Sequence, residues 1–377
     1  MCWLPLDWQL RKKQVSAPAT HAHEVQVTGD SLKGAFDASA ELCNPGAGWT
    51  ARACELWKPE RTGFYQARTL YLVFLPSVPA GCANCFAEGI TSGPDHTLWF
   101  TEGFGAKIGR ITVDGRITEF SDVQNGLPIG NSYPYRIVSG PDGTLWFTGE
   151  FGDIGQITPN GTITEFTPPT YQRLQGITLG PDSALWFTEA NPPDKIGRIM
   201  SNGAITEFPL PADTRPDFDE LEAIVTGPDG ALWFTEGRVN KIGRITLDGH
   251  ITEFPLPHAE SEPGDITVGP DGALWFTEAG RGAIGRLTPT GSLTEFPANA
   301  PVGAITAGPD GNLWFTAPDR AGGTNHLGRL TPSGVVTLFD VPECPGADFF
   351  VNQLTTGPDG NLWFTANRCI GRFAPKG

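Results

Sequence analysis

Apolar and polar residues alternate along this chain in runs of four to seven, and the runs return in groups of four. One group reads "EAIVT", "ALWFTE", "KIGRITL" and "HITEFPL", each rich in Ile, Val, Thr, Phe or Trp and bounded by Gly, Pro, Asp or Asn. Alternation between such punctuation predicts β-strands. The phrase GPDGALWFTE at 227–236 recurs unchanged at 269–278, and GPD starts at Gly93, Gly140, Gly180, Gly227, Gly269, Gly308 and Gly357. Seven copies of four strands, 39 to 49 residues apart, predict an all-β, seven-bladed β-propeller. The strands of each blade are named A to D, with A nearest the axis.

Two spacings never change. The Gly of GPD precedes the Trp by six residues in every copy, and nine residues separate the apolar residue of IGR from the start of strand D in the six complete copies. The A–B and C–D hairpins are therefore standard, with Pro and Gly supplying their turns. All length variation falls in the B–C and D–A connections, which emerge together at one face. Variable loops on a rigid frame are where binding concentrates.

The last copy ends after strand C, and "TLYLVFLP" (69–76) resembles the missing strand D in type and position. The expectation is that this N-terminal strand completes blade 7, leaving residues 1–66 as an extension of unknown role and 67–377 as the propeller. A rival reading takes "ARTLYLVFLPSVPAGC" (67–82) as a short secretion segment; Pro76, Pro79 and the 66 preceding residues argue against it.

Composition adjusts this picture in a few places. Seven of the 11 Trp belong to LWF, one per blade, and are expected to pack between neighbouring sheets. The formal charge of −16 repels phosphate backbones, so nucleic acid is not an expected partner. No run of 18 apolar residues is present, so no membrane-spanning helix is expected. The Glu after WFT (Glu102, Glu189, Glu236, Glu278) and the Arg of IGR (Arg110, Arg198, Arg244, Arg286) are expected to form cross-strand ion pairs.

With GPDG-LWFTE, IGRIT and ITEFPLP in series, residues 69–377 resemble the streptogramin B lyase (virginiamycin B lyase) family. The resemblance implies a seven-bladed propeller and, in the characterised lyase, Mg²⁺-assisted elimination that opens a cyclic depsipeptide antibiotic at its ester. It implies a His at the start of strand A in each of the last two blades, and metal-binding Glu residues before the second His and after the last WF. Here Gly303 and Asn352 stand at the His positions, Phe350 and Asn367 at the Glu positions, and Glu88 at a first-blade Tyr. The residues that would carry the chemistry are replaced while the scaffold is retained.

Candidates for a different site lie on the variable face. The positions just before or at the start of strand A form a polar funnel of Glu88, Tyr135, Arg136, Gln175, Glu222, Asp265, Asn352 and Gln353. Strand alternation is expected to turn Asp265 away from the direction of an in-register His. His258 and His326, in loops of blades 5 and 6, are low-rank catalytic candidates with Glu262. Glu260, Glu262 and Glu278 are the matching metal candidates, with Mg²⁺ the ion implied by the resemblance. Cys82, Cys85, Cys344 and Cys369 fall at the blade 7–blade 1 seam. A Cys344–Cys369 disulfide is the first expectation, a Cys₄ zinc site the second, and free thiols the third.

Two functions stay open. One is a binding propeller for a small polar ligand or a peptide or protein partner, acting as a monomer, with secretion or a cell-envelope location favoured over the cytoplasm. The other is a divergent Mg²⁺-dependent depsipeptide lyase or lactonase-type enzyme with a relocated site. Fold alone does not choose between them.

Overall fold

Seven antiparallel sheets follow one another along the chain, each a meander in the order A–B–C–D. The computed structural model describes residues 86–375 except 104, 122–132, 171–172, 191–192, 212–220, 319–324, 342–350 and 368, together with the backbone of Ala51–Pro59 and Tyr65–Phe74. Blade 1 is typical: strand A Ala87–Ser92, B Leu98–Glu102, C Lys107–Ile111 and D Ile117–Phe120. The seven-bladed propeller expected from the repeats is the fold.

Strands A of successive blades touch around the axis. Ser139 Oγ of blade 2 donates to Ser92 O of blade 1 at 2.5 Å, and Thr226 Oγ1 of blade 4 to Leu179 O of blade 3 at 2.6 Å. The ring closes by the same contact, Ser92 Oγ to Thr356 O of blade 7 at 2.8 Å. The outer strand of blade 7 is Tyr65–Phe74, which pairs with Cys369–Phe373 in the register Leu70↔Phe373 to Phe74↔Cys369. That is the closing strand anticipated from 69–76. Ala51–Pro59 pairs outside it and gives this blade a fifth strand, a partner that the repeat pattern does not reveal.

The core lies between the blades. All seven LWF Trp are at most 1% exposed, and each packs against the next sheet. Trp99, for example, clusters with Ile137, Leu145, Phe147 and Ile157 of blade 2. Burying seven indoles and their Phe neighbours is the main source of cohesion between sheets that share few backbone hydrogen bonds. On the other face of strand B the Phe lies over the Gly of IGR: a Cβ on Gly243 would stand 2.1 Å from the Phe234 ring, so this glycine is a packing requirement.

The charge pairing differs from the expectation. Arg244 stands opposite Trp233 in the B–C register, not opposite Glu236. It therefore reaches the turn carboxylate, Arg244 Nε to Asp229 Oδ2 at 2.7 Å, and lies 5.8 Å from the Trp233 ring centre. The same Arg–Asp pair recurs as Arg110–Asp95, Arg198–Asp182, Arg286–Asp271 and Arg372–Asp359. The second oxygen of Asp229 is held by the buried Trp233 Nε1 at 3.0 Å. This accounts for Arg372, which has no phrase Glu to pair with. In three blades the phrase Glu instead faces a Lys at the start of strand C, as in Glu102↔Lys107, while Glu278 faces Ala283. The Lys binds the Glu of strand D, Lys107 Nζ to Glu119 Oε2 at 2.7 Å.

Candidate functional site

The funnel residues sit where strand A is irregular. In six blades the A–B register shifts by a β-bulge at the beginning of strand A, between Ala87 and Ile90 in blade 1 and between Pro263 and Ile266 in blade 5. A bulge unpairs backbone groups and re-aims side chains. Here the unpaired N–H is taken up by the Thr of the LWFT phrase: Gly89, Arg136, Gly176, Ala223, Asp265, Ala304 and Gln353 each donate to it, at 2.8–3.2 Å. In five blades the same hydroxyl donates onward to a rim carbonyl of the next blade: Tyr135 O, Gln175 O, Glu222 O, Gly264 O and Glu88 O. A fully buried ring of threonines thus holds the rim residues in place. This scaffold role went unread in the phrase, although the Thr stands in every copy.

The wall formed by blades 5, 6 and 7 is largely tied up by bonds between blades, although Gln353 Oε1 is buried without a partner among the described residues. Asp265 Oδ2 accepts from Ile305 N of blade 6 at 2.9 Å, and Gln353 Nε2 of blade 7 lies 3.5 Å from the same oxygen. Asp265 stands beside the bulge that interrupts the A–B ladder of blade 5. Asn352 Nδ2 donates to Ala87 O at 2.8 Å, and Asn367 O accepts from Ala87 N at 2.7 Å. Two family site positions are thereby used to clamp blade 7 to blade 1. At the third, Gly303, an added Cβ would lie 2.5 Å from Thr316 Oγ1. A side chain there would require the Thr316 hydroxyl to shift. Phe350 lies outside the described residues.

The wall formed by blades 1, 2 and 3 is different. Glu88, the Tyr135 hydroxyl, the Arg136 guanidinium and the Gln175 amide have no hydrogen bond or ion pair among the described residues, apart from the Arg136 guanidinium lying 5.2 Å from the Tyr135 ring centre. Gln175 is only 7% exposed. Burial pushes the Glu88 carboxyl up to about 7, with Arg136 opposing and Glu150 reinforcing the shift. Arg136 acts to lower the Tyr135 phenol, yet burial and the carboxylates of Glu88 and Glu222 leave it above its ordinary value. Burial works against the Arg136 charge, and Tyr135, Asp265, Glu222 and Glu88 around it more than offset that. Glu222 itself leans toward blade 5, its Oε2 3.5 Å from where a Cβ on Gly264 would stand.

The histidine candidates are kept apart, and His326, expected in a loop, instead opens strand C of blade 6, His326–Leu330. His258 Nε2 lies 3.2 Å from Glu295 Oε2 in blade 5, and His326 Nε2 lies 3.3 Å from Asp340 Oδ1 in blade 6. Each histidine is matched to the outer strand of its own blade. Glu260 and Glu262 are exposed, and Glu262 N donates to Asn240 Oδ1 at 3.0 Å. Glu278 is fully buried, with Arg281 Nη1 3.6 Å away. Burial first, and then Glu295, push its carboxyl above the usual range. Cys369 is disulfide-bonded, while Cys344, Cys82 and Cys85 lie outside the described residues.

Among the described residues no group of three or more His, Cys, Asp or Glu is placed to hold a metal. The side chains at the family's metal positions do not fit Mg²⁺ either, since an asparagine with its backbone committed to the blade seam stands where a carboxylate is implied. Nor is any helix of the described residues long and apolar enough to cross a membrane.

Comparison with known proteins places this geometry. The sequence model of the Virginiamycin B lyase family matches residues 75–218, 150–303 and 217–342. A solved streptogramin B lyase is 34% identical, with a TM-score of 0.69 over 81% of this chain and 97% of its own. Virginiamycin B lyase from Staphylococcus aureus, in selenomethionine form, is 35% identical, with a TM-score of 0.71 over 81% of this chain and 99% of its own. A catalytically inactive histidine-to-alanine variant of the S. aureus lyase, solved with quinupristin, is 36% identical, with a TM-score of 0.70 over 81% of this chain and all of its own. A search of curated proteins found no match. On the family match and on these identities across four-fifths of its length, the chain belongs to the virginiamycin B lyase family.

Proposed function

We propose that this protein is a binding propeller of the virginiamycin B lyase family, taking a small polar ligand or a peptide segment into its central funnel from the variable-loop face. The observation that carries the reading is the division of the funnel. The wall at which the resemblance implies the His positions carries no side chain at Gly303 and is tied up by Asn352 and Asp265. The opposite wall offers Glu88, Tyr135, Arg136 and Gln175 with no partner among the described residues. Unpaired polar groups converging in a concave site on a rigid frame are what a ligand site requires. The disulfide at Cys369 supports secretion or a cell-envelope location.

Glu88 favours the second reading, a divergent enzyme. A carboxyl held near pH 7 in a desolvated site is suited to proton transfer. Against it stands the absence, among the described residues, of a metal-binding group that would serve an enolate.

The test is a thermal-shift screen of polar small molecules and short peptides, repeated on Arg136→Met and Gln175→Leu. Compounds that raise the melting temperature of the native protein and leave both variants unmoved support a binding funnel. Equal stabilisation of both variants by every compound found would overturn it.

A further inference from the structure

We propose that the funnel wall built by blades 1 to 3 is a site for a ligand carrying a single carboxylate, gripped by the Arg136 fork and completed by the Tyr135 hydroxyl, the Gln175 amide and the Glu88 carboxyl. The proposal rests on the binding reading above and names its ligand class.

The argument starts from what each side chain lacks. A guanidinium carries five N–H donors in a plane and no acceptor, and Arg136 has no hydrogen bond or ion pair to use them on among the described residues. Its nearest relation is the Tyr135 ring, which braces the guanidinium without satisfying a donor. Gln175 is more than nine-tenths buried and its amide is likewise without a partner. Arg136 is partly exposed, and no polar atom of either residue is both fully buried and without a partner, so both groups are open to the funnel. Convergent, accessible polar groups in a concave site are what a ligand engages. The neighbouring rim carbonyls do not supply the bonds. Those of Tyr135 and Gln175 already accept from Thr101 and Thr148 of the preceding blades.

The inventory of the wall sets the ligand's chemistry. Arg136, the Tyr135 hydroxyl and the Gln175 NH₂ are all donors, so the ligand must present acceptors. A carboxylate matches the guanidinium fork with two parallel bonds. The surroundings set an upper limit on its charge. Asp265, Glu222 and Glu88 all act on Arg136, and they would repel a doubly charged phosphate more than a single carboxylate. A carboxylamide presents one acceptor oxygen to a fork built for two.

Glu88 supplies the regulation of the site. The charged groups facing it are Arg136 and Glu150, and Glu150 has Arg173 3.8 Å away. Its carboxyl packs beside Gly103 and the Pro134 carbonyl. A carboxylate arriving at Arg136 competes with Glu88 for the same positive charge, so Glu88 takes up a proton as the ligand binds and then donates to it. Binding is therefore tightest below about pH 7 and weakens as the pH rises through that value.

The test uses N-acetylalanine, its carboxamide N-acetylalaninamide and inorganic phosphate as probes, followed through the side-chain nitrogen resonances of Arg136 and Gln175 by NMR. The expected result is saturable movement of both resonances with N-acetylalanine, at least ten-fold tighter than with the amide or with phosphate. Affinity should fall at least ten-fold in Arg136→Met. It should fall less in Arg136→Lys, which keeps the charge without the fork and guards against a folding artefact. Between pH 6 and pH 8 it should fall several-fold in the native protein and stay level in Glu88→Gln. Amide binding as tight as the carboxylate at the same resonances would overturn the carboxylate class while leaving the binding funnel intact. Carboxylate binding that Arg136→Met leaves unchanged, or no movement of either resonance with N-acetylalanine, would overturn the proposal outright. The thermal-shift screen then decides the funnel reading separately.

Discussion

Asp265 Oδ2 of blade 5 lies 2.9 Å from the backbone nitrogen of Ile305 in blade 6. Strand A of blade 6, Ile305–Ala307, is the inner edge of its sheet, and this carboxylate supplies the Ile305 N–H with an acceptor from the neighbouring blade. It also occupies the funnel wall next to Gly303, where the family's His is implied. Asp265 is thus a structural cap at the place where chemistry would be expected.

Asp265→Ala should leave a nearly buried N–H unpaired and cost about 1–3 kcal/mol of stability. Asp265→Asn keeps an acceptor oxygen and should cost less than half as much. Urea denaturation of the two variants checks the order; equal losses would mean that the hydrogen bond contributes little.

The Arg–Asp pair behind each Trp makes a second, asymmetric prediction. Asp229 holds both Arg244 and the buried Trp233 indole N–H, at 2.7 and 3.0 Å. Asp229→Ala strands a buried donor and should cost about 1–3 kcal/mol. Arg244→Ala removes a partly exposed ion pair and should cost about 1 kcal/mol or less. Thermal melts of the two variants at equal pH give the comparison, and a costlier Arg244→Ala would contradict this account of the pairing.

Glu102 and Glu189 are 2% and 0% exposed, and burial pushes both carboxyls up to about 7 from the usual 4.5, helped by Glu119 and Glu207. The folded state thus keeps protons that the unfolded chain releases above 4.5. The stabilisation from each is complete below the unfolded value and lost as the pH rises toward 7. The slope is about 1.4 kcal/mol per pH unit for each group at most. Glu102→Gln and Glu189→Gln should be more stable than the native protein at pH 8, gain nothing at pH 4, and flatten the pH dependence between. Chemical denaturation at pH 4, 6 and 8 reads this directly, and an unchanged slope would count against buried neutral carboxyls.

The fold was legible because the repeat unit is also the packing unit. A Trp six residues after each Gly of GPD announced seven inter-blade contacts, and the orphaned last copy announced the closing strand. The Arg–Glu expectation failed for a reason of register. Distance along the chain put Glu236 near Arg244, but the B–C ladder pairs Arg244 with Trp233 and Glu236 with Lys241. The bulges were illegible, since the residues that form them, such as Tyr135 with Arg136 and Gly264 with Asp265, follow no common pattern across the blades. Position named Asp265 as a rim residue, but not its bond to the Ile305 N–H of the next blade. The division of the rim into a wall tied up between blades and a more open one depends on cross-blade hydrogen bonds that sequence does not display.

The central claim is that the family scaffold persists here without the family's reaction. The most direct measurement is to incubate the purified protein with quinupristin and Mg²⁺ and to follow the antibiotic by liquid chromatography and mass spectrometry, which separate the cyclic from the linear form at equal mass. The account predicts that the cyclic depsipeptide remains intact at enzyme-level protein concentrations over hours. Accumulation of the linear product, abolished in Glu88→Gln or His258→Ala, would contradict it and establish a lyase with a relocated site.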